Sequence, residues 1–243
     1  MTALTLDVHH VARPDIDDST TRHFARVTGV TYLAIAVCGV FAIGYVPSQL
    51  VVAGDPAATV AGIGHRQGLF KLGVAADVAV MLLEIIAATL LFYMFRPISA
   101  VAATGAFVAR LLTVATMAAM LFFQAGLLAL AQSAMPLDPA QMAVAESLLA
   151  MHEAGVWIWQ VFFFAHLAIL GRLVQWSDRF PDALGIAMTV GALGYLLDSV
   201  YSFGFPEADW LGVSRVGFLV LVTLAELGFA LFLTVKAPAA PRL

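Results

Sequence analysis

The chain has 243 residues, of which 62% are apolar and 12% are charged, and its formal net charge is −4. Soluble domains average about 45–50% apolar and about 25% charged residues, so this composition excludes an ordinary water-soluble protein and indicates folding in a lipid bilayer. The weak negative charge, without a run of lysines or arginines, argues against nucleic-acid binding. The single cysteine, Cys38, excludes an internal disulfide framework.

The first 26 residues are polar. Three arginines lie among them, Arg13, Arg22 and Arg26. The apolar run that follows is too long for a signal peptide and lacks a small-residue cleavage site, so we expect it to be retained as a first span. Residues 1–26 are therefore predicted to be a cytoplasmic segment, residues 27–235 a transmembrane domain and residues 236–243 a cytoplasmic tail.

Six apolar runs are long enough to cross a bilayer core, which takes about 20 residues of helix. They are residues 27–52, 69–95, 98–132, 153–176, 183–204 and 210–235. Turn-forming residues separate these runs, and the alternating segments typical of a membrane β-barrel are missing. We therefore predict an all-α bundle of six transmembrane helices, arranged as three hairpins.

Residues 133–152 join the third run to the fourth. The Asp-Pro-Ala-Gln segment at 138–141 has the spacing of a helix N-cap, a first-turn proline and an N3 glutamine. A continuous helix over 139–176 would be about 57 Å long, which exceeds the bilayer core. Either the third and fourth helices project from the membrane as a hairpin, which we favour, or the lead-in bends at Gly155 and lies in the interface.

Lysines and arginines are distributed unequally between the two sets of connections. With a cytoplasmic N-terminus, the inner side holds Arg13, Arg22, Arg26, Arg96, Arg172, Arg179, Lys236 and Arg242. The outer side then holds Arg66, with Lys71 and Arg215 near outer helix ends. Because short cytoplasmic loops carry the excess of positive charge, both termini are predicted to be cytoplasmic.

Ionisable residues inside the apolar runs are the strongest functional signal, because a charge at the bilayer centre costs about 2.5–3.5 kcal/mol. They are Asp77, Glu84, Arg110, His166, Asp198 and Glu226. Asp77 and Glu84 are seven residues apart and share one helix face. Similar spacing groups further polar and aromatic residues into faces that lipid would not tolerate, so we expect them to point into the bundle. They include His152, Glu153, Trp159, Gln160 and Tyr195.

Two ion pairs follow from the hairpin geometry. Glu84 and Arg110 are equally distant from the turn between the second and third spans, and antiparallel helices would place them at matching depth. Asp198 and Arg215 are likewise equidistant from the turn between the last two spans. A structural role is the favoured interpretation of both pairs, and His166 is more typical of a hydrogen-bonded core histidine than of a ligand.

Carboxylates outnumber basic groups inside the predicted spans. At least one carboxyl group, that of Asp77 or Glu226, lacks an obvious basic partner. Such a group stays protonated, holds a cation or borders a water-filled cavity. Each of these states is more typical of a functional site than of a structural one.

The sequence contains no nucleotide-binding loop and no metal-binding cluster. Bis-histidine haem binding needs histidines on two facing helices, whereas His152 and His166 share one helix and lie about 21 Å apart along it. We therefore predict neither a metal nor a cofactor. The two halves of the chain show no clear repetition, which disfavours the usual transporter architecture.

Six segments carry a resemblance to a known family. They are RVTGVTYL from Arg26, LVVAGDPA from Leu50, LFKLGVAAD from Leu69, LFYMFRP from Leu91, HLAILGR from His166 and RFPDALG from Arg179. Through these segments the chain resembles, over about residues 22–235, the bacterial multi-pass membrane proteins of domain of unknown function 4386. The resemblance implies a helical bundle in a bacterial inner or plasma membrane, and it supplies no activity or site residues.

The favoured function is an integral membrane enzyme or binding protein that acts on a small lipophilic molecule, with metal-free, isomerase- or cyclase-like acid–base chemistry as one form. A buried carboxyl group that stays protonated is a suitable general acid. The candidate proton donors and acceptors are Asp77, Glu84, His166 and Glu226. The candidate pocket or ion-pair residues are Arg110, Asp198, Arg215, Gln160, Trp159, His152, Glu153 and Tyr195.

Two alternatives stay open, a proton- or cation-coupled transporter of small solutes and a structural accessory subunit. The second and sixth spans have no proline or glycine-rich break beside their carboxylates, which favours the enzyme or binding protein slightly. The expected partners are membrane lipid and either a small lipophilic ligand or a coupled proton or cation. Self-association into a homo-oligomer is left open.

Overall fold

The computed structural model describes residues 18–133 and 136–238, and this part of the chain is helical without β-strands. Residues 1–17 and 239–243 lie outside the described residues. The predictions for most of the N-terminal segment, including Arg13, and for the end of the C-terminal tail, including Arg242, therefore stay predictions.

Six helical units are long and apolar enough to cross a membrane, which confirms the predicted all-α architecture. The first span is α1 (Arg22–Gly39), a π-helical segment (Val40–Tyr45) and α2 (Val46–Leu50), and the short helix α3 (Pro56–His65) follows it. The next three spans are α4 (Gln67–Phe95), α5 (Ala100–Ala131) and α6 (Pro139–Gln175). The fifth span is α7 (Asp182–Gly191) with α8 (Leu193–Gly204), and the sixth is α9 (Asp209–Val235).

The ends of several helices follow from local capping. Thr21 accepts a hydrogen bond from the backbone of Phe24, so α1 begins at Arg22 rather than at the predicted residue 27. The predicted capping box at the start of α6 is present, with Asp138 and Gln141 each accepting a hydrogen bond from the other's backbone.

The six spans form a closed ring. Each span contacts the next one along the chain, and α9 returns to contact α1. The three predicted hairpins are all present, but contacts between them join the hairpins into one bundle. The ring therefore encloses an interior to which every span can contribute a side chain.

The two ends of the bundle are named by the elements they carry. The α3 side holds α3 and the connection between α5 and α6, and the terminal side holds the start of α1 and the end of α9. The fold does not test which side of the membrane each end faces, so the cytoplasmic location of the terminal side stays a prediction.

The helix α6 is continuous over 37 residues, or about 55 Å, and is not interrupted at Gly155. Its first turns extend beyond the length of a bilayer core together with the end of α5, as the favoured hairpin predicts. This extension is not isolated, because α3 packs against it. Val60 and Ile63 of α3 belong to one buried cluster with Leu127 and Ala145.

Candidate functional site

A layer of polar side chains crosses the interior of the ring, and each span contributes one ionisable residue to it. The six are Tyr32, Glu84, Arg110, His166, Tyr195 and Glu226, which we call the central layer. Five of them lie roughly ten residues, or about 15 Å, from the terminal-side end of their spans, and Tyr195 lies about 20 Å from the start of the fifth span. A distance of about 15 Å corresponds to about half the thickness of a bilayer core.

Arg110 is the hub of the central layer. Its side chain is 0% exposed, and its Nε forms the predicted ion pair with Glu84. Its Nη1 donates to the hydroxyl of Tyr32 and lies 2.8 Å from Nε2 of His166. Its guanidinium also lies 4.6 Å from the centroid of the Tyr32 ring. A cation from the third span thus holds side chains of the first, second and fourth spans.

His166 is a neutral histidine in this arrangement. Its Nε2 faces Arg110, which can only donate, so Nε2 must accept. Its Nδ1 lies 2.8 Å from the carbonyl oxygen of Ala106 and must therefore carry the proton. His166 is the hydrogen-bonded core histidine that the sequence favoured, and both ring nitrogens are in use.

Glu226 stands apart from the ion pair. Its nearest polar contact is a hydrogen bond from the hydroxyl of Tyr195, at 3.4 Å. Arg110 is close enough to interact with it electrostatically. Within residues 18–133 and 136–238, however, no lysine or arginine forms an ion pair with Glu226.

The second predicted ion pair, Asp198 with Arg215, joins the fifth and sixth spans. The other oxygen of Asp198 accepts a hydrogen bond from Gln160 at 2.9 Å, and Arg215 lies 4.0 Å from the ring centroid of Tyr201. Arg215 is 28% exposed, so the pair lies at the edge of the bundle. These contacts tie α6, α8 and α9 together.

A cavity of about 900 Å³ lies on the α3 side of the central layer. Its walls come from the end of the first span, the 51–56 connection, α4, α5 and α6. Most of the lining is apolar, including Ala42, Met117 and Val156. The π-helical segment of the first span takes part through Ala42, so an irregular turn of helix forms one wall.

A small set of polar groups faces the cavity. Asp77 accepts a hydrogen bond from Nε2 of Gln124 at 3.1 Å. Oε1 of Gln124 and Nδ1 of His152 are buried atoms without a hydrogen-bond partner. Three further acidic residues line the cavity, Asp55, Glu146 and Glu153, and its described lining contains no lysine or arginine. The cavity is therefore acidic and rich in unused acceptors.

The 51–56 connection borders the cavity on the α3 side. Thr59 accepts a hydrogen bond from the backbone of Val52 at 3.0 Å, and its hydroxyl lies 2.9 Å from the carbonyl of Asp55. Asp55 caps α3 by accepting from the backbone of Ala58. Gly54 has φ +73°, which suits a residue without Cβ. These contacts give the connection a defined path.

The four predicted proton donors and acceptors lie in two different places, and their roles stay predictions. Asp77 lines the cavity, whereas Glu84, His166 and Glu226 belong to the central layer. The reason is depth, since Asp77 and Glu84 share a face of α4 but lie two turns, or about 10 Å, apart along it.

The pocket candidates also separate. Trp159, His152 and Glu153 line the cavity, whereas Gln160 belongs to the contacts of Asp198. Trp159 lies between the two regions, because its ring is also 5.9 Å from that of Tyr195 in the central layer.

Two contributions were missed by the sequence analysis. Tyr32 enters the central layer although the first span has no ionisable acid or base at its centre. Its position about ten residues into the span, at the depth of Glu84 and Arg110, is the signal that could have found it. The 51–56 connection and Thr59 gave no signal, because polar loop residues are common.

Among the described residues, no group of three histidine, cysteine or acidic side chains could hold a metal ion. Searches of curated proteins and of solved structures return no match to this chain. A family model described as "Domain of unknown function (DUF4386)" matches residues 27–237, which is most of the chain. The six apolar helices, the polar interior and this match together show that the chain is a membrane-helical member of the DUF4386 family.

Proposed function

We propose that this protein binds a small lipophilic molecule in the cavity on the α3 side, with a hydrogen-bond-donating end of that molecule at Asp77. The observation that carries the proposal is a mostly apolar cavity of about 900 Å³ that holds a carboxylate and unused polar atoms on its walls.

The size and lining of the cavity fit a small organic ligand. Ligand pockets typically enclose about 300–1,000 Å³, with apolar walls and a few placed polar groups. Methionine residues such as Met117 and Met120 are flexible and adapt to irregular apolar shapes. The apolar part of a lipophilic molecule would therefore find complementary walls here.

The polar groups of the cavity indicate that the ligand carries hydrogen-bond donors. Gln124 donates its amide hydrogen to Asp77, so its Oε1 is left as an acceptor. Asp77 has acceptor capacity beyond that single bond. A buried acceptor without a partner costs about 1–3 kcal/mol. A ligand amine or hydroxyl would supply the missing donors, whereas a carboxylate would be repelled by the acidic lining.

Any acid–base step on the bound molecule would fall to Asp77 and His152, because these two titratable groups of the lining are half-buried whereas Asp55, Glu146 and Glu153 are exposed. His152 interacts electrostatically with Asp77. Glu84, His166 and Glu226 do not line the cavity, so the proposal gives them no contact with the ligand.

Binding is tested with three probes of equal chain length, decylamine, decanol and decanoate, added to the purified protein in lipid nanodiscs. A ligand that binds only the folded state raises the unfolding temperature with concentration. We expect decylamine and decanol to stabilise the protein and decanoate to have no effect. Organic extraction and mass spectrometry of the purified protein would identify a co-purified molecule.

A pair of matched variants places the effect in the cavity. Ala150 and Ala143 both lie on α6, and Ala150 lines the cavity whereas Ala143 does not. Ala150→Phe should abolish the stabilisation by decylamine, and Ala143→Phe should preserve it. Equal responses of the two variants, or equal stabilisation by all three probes, would exclude the proposed site.

A proton-coupled transporter is a second candidate, because two spans are irregular. The first span contains the π-helical segment beside the cavity, and the fifth span is divided between α7 and α8 at Ala192. Such interruptions are common at functional positions of membrane helices. Decylamine movement across proteoliposomes driven by a pH gradient would distinguish transport from binding alone.

A further inference from the structure

The charges of the central layer do not balance around Glu226. Glu84 and Arg110 neutralise each other in a direct ion pair. The two bonds of His166 hold it neutral, so it offers no positive charge. Glu226 is left at mid-membrane depth with a single hydrogen bond from Tyr195. An isolated carboxylate in such surroundings is strongly disfavoured relative to the neutral acid.

Arg110 has capacity that the ion pair does not use. The residue is 0% exposed, and its Nη2 is buried without a hydrogen-bond partner. Its Nε bonds Glu84 and its Nη1 bonds Tyr32. A fully buried guanidinium nitrogen without a partner is costly. Glu226 is the carboxyl group of the central layer that interacts with Arg110 without being bonded to it.

We propose that Glu226 is a mid-membrane proton-binding site, in which Nη2 of Arg110 is the reserved partner of the deprotonated carboxylate. In the protonated state Glu226 is a neutral acid beside Tyr195, and the layer carries the balanced pair of Glu84 and Arg110. Release of one proton to water leaves the Glu226 carboxylate and adds one negative charge to the central layer. Arg110 then interacts with two carboxylates, those of Glu84 and Glu226.

The groups around Glu226 come from every helix packed against α9. Tyr32 on α1 and Tyr195 on α8 face it, and Glu84 and Arg110 act on it from across the ring. The remaining neighbour, α7, has Asp182 as its one titratable residue, at the first position of the helix and near the terminal side. Arg22, His23 and Arg26 lie in the first turns of α1, at the terminal side. Asp198 and Tyr201 on α8 contact Arg215 of α9 at the edge of the bundle. Arg110, on α5, is therefore the fully buried cation available to a charged Glu226 within the described part of the chain.

Two aromatic residues lie between Glu226 and the cavity. Tyr195 bonds Glu226, and its ring lies 5.9 Å from that of Trp159, which lines the cavity. The site does not depend on the proposed ligand, because Glu226 does not line the cavity.

Infrared spectroscopy of the full-length protein in nanodiscs tests the proposal directly. A protonated carboxyl group has a carbonyl band that a carboxylate lacks, and the band shifts in D₂O. Other carboxyl groups also protonate in acid, so the Glu226 band is read from the difference between the spectra of the wild type and Glu226→Gln. We expect this difference to contain the band at acidic pH and to lose it as the pH is raised. Asp77→Asn is the matched control, because Asp77 also lacks an ion pair, and it should keep the Glu226 band.

Tyr195→Phe tests whether the band belongs to the carboxyl group that the Tyr195 hydroxyl bonds. Loss of the phenol hydrogen bond should shift the frequency of the Glu226 band without removing it. The proposal is overturned if folded Glu226→Gln has the spectrum of the wild type. A band that survives at alkaline pH overturns it too, since the proton would then not exchange. Sodium ions that remove the band at constant pH would instead make this a cation site.

Discussion

At the scale of single residues, Arg110 has the largest role in the interior. It is completely buried, and its contacts reach Glu84, Tyr32 and His166 on three other spans. A buried ion pair gains little over a well-packed apolar pair, but removing one partner leaves an uncompensated charge. The central layer therefore joins helices, and it is also where we expect a single substitution to lower the stability of the protein most.

Glu84→Gln should destabilise the protein by about 3–5 kcal/mol, because Arg110 would keep its charge without a carboxylate. Unfolding in detergent, followed by circular dichroism, measures the loss. Asp198→Asn is the matched control, since its partner Arg215 is 28% exposed. We expect that change to cost at most about 1 kcal/mol. Equal losses of stability in the two variants would mean that the buried pair of Glu84 with Arg110 contributes no more than the partly exposed pair of Asp198 with Arg215.

At the scale of helices, the fifth span packs through glycines. Gly185 lies against α6, and Gly191 and Gly194 lie against α9. A Cβ added to Gly194 would lie 2.7 Å from the backbone carbon of Phe218. Small residues at helix contacts allow backbones to approach closely in membranes, so the short fifth span is held by close contact and not by large side chains.

Gly194→Ala should therefore destabilise the bundle by about 1–3 kcal/mol, the usual cost of overpacking. Thermal unfolding of the purified protein measures this effect. Gly217→Ala on α9 is the matched control, because a Cβ at Gly217 would meet nothing within 4 Å. We expect that change to be neutral or to stabilise the protein by about 0.4–1 kcal/mol. A neutral Gly194→Ala would contradict the close contact of α8 with α9.

At the scale of the whole molecule, the ring has a polar layer at its centre and the cavity of about 900 Å³ on its α3 side. The cavity and α3 share one end of the bundle. The predicted orientation places that end outside the cell, since most lysines and arginines lie at the terminal side. A ligand would then enter from the outer leaflet or from outside the cell.

Cysteine labelling in intact cells tests this orientation. Cys38 is the single cysteine, so Cys38→Ser supplies a cysteine-free background. Ala53→Cys lies in the exposed connection beside the cavity, and Asp178→Cys lies in the exposed connection between α6 and α7. A membrane-impermeant maleimide should label Ala53→Cys in intact cells and Asp178→Cys only after lysis. The reverse pattern would invert the topology.

Much of this molecule is determined by the sequence alone. Long apolar runs specify six spans, because unpaired backbone groups exclude other structures from lipid. The seven-residue spacing of Asp77 and Glu84 places both on one inward face of the second span. Short turns set the register of antiparallel neighbours, so the pairs of Glu84 with Arg110 and Asp198 with Arg215 are predictable.

The tertiary structure decided what depends on helices that are distant in sequence. The return of α9 to α1 brings Glu226 near Arg110 without bonding it, and it adds Tyr32 to the central layer. The packing of α3 on α5 and α6, with Thr59 bonded to the 51–56 connection, brings that connection to the same cavity as α4, α5 and α6. Helical periodicity specifies the face of the helix and the depth at which a side chain lies. Its partners across the ring depend on how each helix is rotated and on which distant helices it packs against. Those contacts form only in the assembled bundle.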